Sequence, residues 1–479
     1  MIPFLYKHNL LFWLLSGLFI LVMALAVFTE QYYLSAIPFL LLFFYLSWQN
    51  RIAVFYLLLF TLPISFEYNF SSTLATDIPD EFLMLLVSGL FIVYWMYSPK
   101  AVSKNILKHP LIVFLFIGLC WTMLTVLFST EPITSLKYLL AKGWYIGAFV
   151  MAPLIIFKNK ISIASAALML AVSMLLITLI ALVRHGADSF SFATVNEAVV
   201  PFFRNHVNYS AMLVCIVPVL IALYHLSKTK KPRTNIVLAI IIVLIALFFA
   251  YARGAWLALF AGLLSYWFIK KRLLFYSYIV AIIITIGSLF WIKANDHYLQ
   301  FTHDYNTTIF HENFREHLIA TYKLKDVSTA ERFYRWIAGV RMIKDNWLTG
   351  YGPATFYNNY KSYTVPAFKT WVSKNRDHST VHNYFLLVAI EQGIPGLFFF
   401  LLLSAAMLYY AQRLYHRIKD VFYKTVAVTT GVILTMIITV NFLSDLIETD
   451  KIGSLFFLCL ATLVVTDMKT RKQMIDDNL

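Results

Sequence analysis

Residues 161–183 read ISIASAALMLAVSMLLITLIALV, an uncharged run bounded by Lys160 and Arg184. An α-helix rises 1.5 Å per residue, so a run of this length crosses the roughly 30 Å hydrocarbon core of a bilayer. A surface helix of a soluble domain would carry a polar face, and this run has none. The stretch therefore predicts a transmembrane helix.

The rest of the chain repeats this pattern. Of 479 residues, 60% are hydrophobic and 13% are charged, with a mean hydropathy of +0.73. Soluble domains carry about 25% charged residues, so this composition excludes a water-soluble globule. Fourteen apolar runs are long enough, or nearly so, to span: 10–28, 33–49, 52–66, 82–97, 111–128, 138–157, 161–183, 207–226, 235–251, 255–269, 273–292, about 383–412, 425–443 and 452–467.

We predict an all-α, polytopic membrane protein with about 14 transmembrane helices. The lower bound is 12, because Arg51 and Arg253 are the only hydrophilic markers at two of the turns. The first run follows Lys7 and His8 as a signal peptide would, but no small-residue cleavage site precedes the next run. We therefore expect a retained anchor rather than a cleaved leader.

The distribution of basic residues gives the orientation. Lys and Arg outnumber Asp and Glu by 39 to 24, an excess that would suggest nucleic-acid binding in a soluble protein. Here 21 basic residues fall in one set of alternating loops, and only five fall in the short loops opposite. By the positive-inside rule, both termini are cytoplasmic and the polar stretch 293–381 is external. The charge is thus a topology signal, and no nucleic-acid partner is expected.

The external stretch divides the chain into three parts. Residues 1–292 form the first eleven transmembrane helices, residues 293–381 a periplasmic loop domain, and residues 382–479 the remaining helices with the cytoplasmic tail. Apolar residues recur at helical spacing from Phe333 to Ile343, after a capping-box pattern of Ser328 with Glu331. This predicts an amphipathic helix over about 329–345 that packs on the bundle or lies at the membrane surface. The three cysteines lie inside apolar runs, so neither a disulfide framework nor a zinc site is expected.

Three polar residues lie at external ends of predicted spans: Arg204, Arg253 and His382. Polar groups at membrane depth are costly and suggest function. Two guanidiniums at such a boundary would bind a pyrophosphate, since arginine is always charged and grips phosphate oxygens bidentately. An imidazole could accept a proton from an attacking hydroxyl. The combination suggests group transfer from a lipid pyrophosphate to a hydroxyl.

Other polar residues are weaker candidates. For Arg332, Arg335, His206 and His378, a solvated loop position is the preferred interpretation. Glu391 lies nine residues beyond His382, two and a half turns along a helix, so the two side chains would point to opposite faces. Gly393, Pro395 and Gly396 predict a kink in the helix just beyond Glu391. We expect a structural or supporting role for Glu391.

Three stretches resemble the O-antigen ligase and polymerase superfamily of bacterial inner-membrane glycosyltransferases. Residues 332–356, RFYRWIAGVRMIKDNWLTGYGPATF, are similar to the family's external helix and its Gly-x-Gly turn. His382-Asn383, with Leu386, Glu391, Gly393 and Gly396, is similar to its HN-x-x-L, E-x-G-x-x-G signature. Residues 252–256, ARGAW, are similar to its S-R-G-a-w segment, with Ala252 where serine is usual.

The resemblance implies a transferase of the C-type (GT-C) fold that uses neither metal nor cofactor. Its donor would be a glycan on undecaprenyl pyrophosphate, its acceptor a hydroxyl of lipid A-core or another molecule, and its site periplasmic. Arg204 and Arg253 would bind the pyrophosphate and His382 would be catalytic. The secondary candidates are Arg332, Arg335, Asn383 and Glu391. No acidic cluster suggests a metal site.

Several functions stay open. A ligase that completes lipopolysaccharide is favoured, because the chain has one large external segment and polymerases more often have two. A repeat-unit polymerase and a protein O-oligosaccharyltransferase share the donor and the motifs. A flippase for lipid-linked oligosaccharides also fits fourteen helices. It should carry charges near the midplane of several spans, where this sequence offers mainly Lys142 and Glu391.

Overall fold

The apolar runs form helices because backbone groups in hydrocarbon must be hydrogen-bonded within their own segment. The computed structural model describes residues 36–69, 75–293, 327–365 and 380–476, together with Gly17, residues 20–22 and Thr29. Most of the first apolar run, with its expected anchor, lies outside these residues.

Fourteen longer helices are described. They are α1 (Ala36–Gln49), α2 (Arg51–Thr61), α3 (Asp80–Tyr97), α4 (Pro110–Leu127), α5 (Pro132–Ile156), α6 (Lys160–Ala187), α7 (His206–Leu226), α8 (Lys230–Phe249), α9 (Arg253–Lys270), α10 (Leu274–Lys293), α11 (Val327–Asp345), α12 (Tyr384–Arg417), α13 (Val421–Asn441) and α14 (Asp450–Asp476). Short helical turns lie at Pro99–Ala101, Lys104–Leu107, Val195–Val199, Phe356–Asn359, Tyr360–Tyr363 and Leu446–Glu448.

These helices confirm an all-α, multi-pass membrane protein. Within the described ranges, nine helices are long and apolar enough to cross a membrane, and α2 and the apolar part of α10 are shorter. Each predicted run from 33–49 onward coincides with a helix. The external amphipathic helix is α11, which begins two residues before its predicted start. The Ser328 side chain of the predicted capping box lies outside the description.

The chain divides into two compact units, residues 1–55 and 56–479. In the second unit α13 is central and packs against α7, α9, α12 and α14. Gly262 of α9 lies against Met436 of α13, where an added side chain would overlap, so this glycine permits the close helix crossing. α14 is the most enclosed of the nine spanning helices.

A short hairpin interrupts the helical pattern. Strand β1 (Phe66–Asn69) pairs antiparallel with β2 (Ala75–Ile78), and Glu67 lies opposite Asp77. Residues directly opposite in an antiparallel pair share a face of the sheet. The sequence pattern does not predict this element, because each strand is only four residues long.

The two ends of the bundle in the second unit differ. One end carries an ion network in which buried Asp467 bonds His109 (3.2 Å), Arg471 (2.7 Å) and Arg417. Lys160 pairs there with Asp420. The other end, called here the site end, carries the hairpin and the loops 200–205, 250–252, 380–383 and 442–449. Which end faces the cytoplasm remains a prediction from the basic loops.

Candidate active site

The turn after α11 is built into a break in α12. Gly393 has φ +70° and ψ 178°, which interrupts the helix and redirects its backbone. The carbonyls before the break accept bonds from the turn: Tyr351 donates to Ile390 (3.0 Å) and Gly352 donates to Glu391 (2.9 Å). The amide of Ile394, beyond the break, donates to Trp347 (2.8 Å). The predicted kink thus serves as the docking point of the external segment.

Glu391 completes this junction. Its carboxylate accepts the backbone N–H of Ala354 (2.9 Å) and that of Phe356 (3.1 Å). The residue is buried. Each oxygen of this carboxyl group therefore has a hydrogen-bond donor, as a buried polar group requires. The structure thus brings Glu391 to the Gly-Tyr-Gly-Pro turn rather than pairing it with His382.

His382 is held by loop 442–449. The residue has φ 53°, an uncommon left-handed conformation for a non-glycine residue. The next residue, Asn383, caps α12 by accepting the N–H of Leu386 (2.9 Å) and donates its side-chain amide to Phe442 (3.0 Å). The amide of Tyr384 donates to Ser444 (2.9 Å). These bonds fix the backbone next to His382 and so limit the position of its imidazole.

Helix α11 brings two arginines to this imidazole. Arg335 donates to the carboxylate of Glu331 (3.0 Å) and to the carbonyl of Thr380 (3.2 Å), while Trp336 donates to the carbonyl of Val381 (3.0 Å). Arg335 is only 6% exposed, so the expectation of a solvated loop position was wrong for it. The apolar face of α11 packs on α12, which buries the residues between them.

The protonation of His382 follows from this environment. Burial, and then the positive charges of Arg335 and Arg332, lower the pKa of the His382 imidazole to about 3. At neutral pH the ring is therefore uncharged and has a nitrogen lone pair that can accept a proton.

Arg253 borders the same loop. It is half-buried and is the first residue of α9, which three residues separate from the end of α8. The preceding turn is fixed where Ala250 accepts a bond from His206 Nδ1 (2.7 Å) and Tyr251 donates to Phe190 (2.8 Å). Gly254 lies close to Leu443, in the loop that also bonds Asn383.

The described bonds of Arg204 are to the hairpin. Its side chain is 71% exposed, and its Nε (3.2 Å) and Nη2 (2.8 Å) both donate to one carboxylate oxygen of Glu67 in β1. In the described part of the chain, the guanidiniums that act on the His382 imidazole are those of Arg335 and Arg332. These are not the two that the sequence favours.

The loop 442–449 contributes two acids that sequence reasoning missed. Burial raises the pKa of the Asp445 carboxyl, against a hydrogen bond from the Thr380 hydroxyl and the charge of Arg335. Glu448 binds Lys142 (3.0 Å) and accepts a bond from the Tyr138 hydroxyl (3.0 Å). The available signal was the run of acids, Asp445, Glu448 and Asp450, in the short break between two apolar runs.

A further acidic group bears on the expectation that no acidic cluster suggests a metal site. One carboxylate oxygen each of Asp77, Asp80 and Asp450 lie within 4.8 Å of one another. The cluster already includes a cation, because the Lys451 ammonium interacts with all three. Its members come from β2, α3 and α14, so no local pattern could have revealed it.

These features define a class: a multi-pass helical membrane protein with a neutral, half-buried imidazole beside arginines at one end of its bundle. A family model described as O-antigen ligase matches residues 238–401. This match confirms, for residues 238–401, the resemblance to the O-antigen ligase and polymerase superfamily. No curated protein sequence matches the chain.

The matched region contains most of the candidate residues: Arg253, Arg332, Arg335, His382, Asn383 and Glu391. Arg204 lies before it. The family points to glycosyltransferase-like ligase or polymerase activity and, in general terms, to a lipid-linked glycan and its acceptor as partners.

Proposed function

We propose that this protein is an O-antigen ligase-like glycosyltransferase. It moves a glycan from undecaprenyl pyrophosphate to an acceptor hydroxyl, such as one on lipid A-core, at the periplasmic face of a bacterial inner membrane. The observation that carries the proposal is the uncharged, half-buried His382 beside Arg335 and Arg332, in the region that the O-antigen ligase family model matches.

In this proposal His382 is the general base. Its neutral ring removes the proton from the acceptor hydroxyl as that oxygen attacks the anomeric carbon, and the carbon–oxygen bond to the pyrophosphate breaks with inversion. Arg253 and Arg204 bind the departing pyrophosphate, which leaves as a stabilised anion. Such a leaving group needs little acid assistance, so neither a metal nor a cofactor is required.

Charge compensation would couple donor binding to basicity. A pKa of about 3 makes the imidazole a weak base while positive charges surround it. An anionic pyrophosphate bound near Arg335 and Arg332 would offset these charges and raise the pKa of His382 toward its ordinary value. The base would then be strongest only when the donor is in place.

The supporting residues have structural tasks in this proposal. Asn383 holds His382 to the 442–449 loop, and Glu391 holds the external turn against α12. α11 and its turn would cover the site and contact the acceptor, while the prenyl chain would lie between helices in lipid.

The test is complementation of a strain that lacks the gene, with expression of each variant confirmed. His382→Ala and Arg253→Ala are expected to abolish function. Loss of the entire banded polymer from lipopolysaccharide on a gel indicates a ligase, and a single repeat on the core indicates a polymerase. Full function in either variant would contradict the proposed site.

A further inference from the structure

The guanidinium of Arg204 is paired with the carboxylate of Glu67. The two bonds from Arg204 share a single oxygen of Glu67, and both side chains are open to solvent, at 71% and 40% exposure. The pair can therefore open without any rearrangement of the core. If Arg204 binds the donor as proposed above, the pyrophosphate must replace Glu67.

The hairpin fixes Glu67 in this position. Glu67 and Asp77 are cross-strand neighbours, so their side chains share one face of the hairpin. Asp77 joins Asp80 and Asp450 in the acidic cluster around Lys451. One residue of the pair thus anchors the hairpin to the bundle, and the other contacts Arg204.

Lys451 ties together the two segments that meet in this ion pair. Its ammonium donates to the carbonyl of Ser65 (2.8 Å), just before β1, and to that of Phe202, two residues before Arg204. Ser65 in turn donates its hydroxyl to Asp80 (2.8 Å). The positions of Glu67 and Arg204 are therefore set by the buried residues beneath them, although the pair itself is exposed.

Glu67, phospholipid headgroups and a diphosphate would compete for Arg204, and their charges differ. An exposed guanidinium at the end of a transmembrane bundle meets phospholipid headgroups, whose phosphodiesters carry one negative charge each and offer the oxygens that arginine binds bidentately. A monoanion that displaces Glu67 replaces one negative charge by another and gains little. A diphosphate diester carries two charges, so it gains an additional attraction.

We propose that Glu67 is a specificity-determining residue of the donor site. Glu67 competes with monoanionic phospholipid headgroups for Arg204, and a diphosphate displaces it. This inference rests on the proposed donor-binding role of Arg204. Removing the charge of Glu67 should tighten diphosphate binding and also make the site more sensitive to anionic lipid. Because exposed ion pairs are weak, the effect on affinity should be about three- to fivefold.

The experiment uses the full-length protein in nanodiscs of phosphatidylcholine, alone or with phosphatidylglycerol added, and measures binding of undecaprenyl diphosphate. Glu67→Gln keeps the shape of an exposed side chain, and thermal unfolding confirms that the fold is retained. The matched control is Glu197→Gln, which removes the same charge from an exposed position in the short helix Val195–Val199. It corrects for the bulk repulsion between the membrane and the probe.

The expected result is tighter binding by Glu67→Gln in phosphatidylcholine, and a larger loss of binding on adding phosphatidylglycerol than wild type or Glu197→Gln shows. In Arg204→Gln, the further change Glu67→Gln should have no effect. If Glu67→Gln binds the diphosphate no more tightly than the control, the inference is overturned. If Arg204→Gln weakens binding in that case, the donor role of Arg204 still holds. Unchanged binding by Arg204→Gln removes the donor role of Arg204, and this inference with it.

Discussion

The carboxylate of Glu391, inside transmembrane helix α12, accepts the backbone N–H of Ala354, in the turn that follows external helix α11, at 2.9 Å. This bond and its partner to Phe356 join a membrane span to the segment that carries Arg332 and Arg335. The position of the arginines beside His382 therefore depends on a buried acid that does not itself contact the imidazole.

Glu391→Gln should loosen the junction. A glutamine offers one oxygen where the two backbone amides now bond one carboxyl oxygen each, so one amide loses its acceptor, and an unsatisfied buried donor costs about 1–3 kcal/mol. We expect a lower melting temperature, faster proteolysis within 346–365, and reduced transfer. Asp345→Asn, at an exposed position at the end of α11, is the control. Equal stability and proteolysis in the two variants would refute the anchoring role.

Gly393→Ala should disrupt the same junction from the other side. The residue has φ +70°, and an added Cβ would overlap the carbonyl of Leu348. Together with ψ 178°, this φ lies in a region almost confined to glycine, and such a conformation costs a non-glycine residue about 1–3 kcal/mol before any overlap is counted. Gly89→Ala in α3 is the control, because a Cβ there has no neighbour within 4 Å. A melting temperature for Gly393→Ala no lower than that of Gly89→Ala would contradict the docking geometry.

Much of this fold follows from local sequence. Apolar runs without charges specify spans, and the spacing of Phe333, Trp336 and Val340 specifies α11, because both signals extend over many residues. The hairpin escapes such reasoning, since its strands are short and its stability comes from contacts between Asp77, Asp450 and Lys451, which are far apart in sequence.

The site was predictable in part. The segments of Arg253 and His382 both border the 442–449 loop, as a shared position at the external ends of their spans suggests. The burial of Arg335 was not foreseen, because a basic residue on an external amphipathic helix normally faces solvent. Its position depends on the docking of α11 through Gly393 and Glu391, which is a tertiary effect.

Lys142 and Glu448 should prove mutually dependent. Their ion pair is half-buried, with 12% and 23% side-chain exposure, and leaving one partner without the other costs about 1–3 kcal/mol. Lys142→Met should therefore lower the melting temperature strongly. The double variant Lys142→Met with Glu448→Gln should recover part of that loss, because no uncompensated charge remains. Additive losses in this cycle would exclude the coupling.

Arg335→Gln should change the pH dependence of transfer. The neutral imidazole is the active form, so kcat/KM, which reports the donor-free protein, falls as pH drops through the pKa of His382, which burial, Arg335 and Arg332 lower to about 3. Loss of Arg335 removes one of these causes, so the acid limb should move to higher pH, toward but not beyond about 6.5. The exposed Arg341→Gln is the control. An acid limb that stays in place or moves lower would contradict this account.

The central claim is that His382 performs the proton transfer at this site. The most direct measurement is the rate of glycan transfer by purified protein in vesicles, with undecaprenyl-pyrophosphate-linked glycan and acceptor, for wild type and His382→Gln. The account predicts that His382→Gln loses about 100- to 10,000-fold in rate, as expected for removal of a general base, while its donor binding and melting temperature stay near those of wild type. A rate within a few-fold of wild type, with the protein folded and the donor bound, would contradict it.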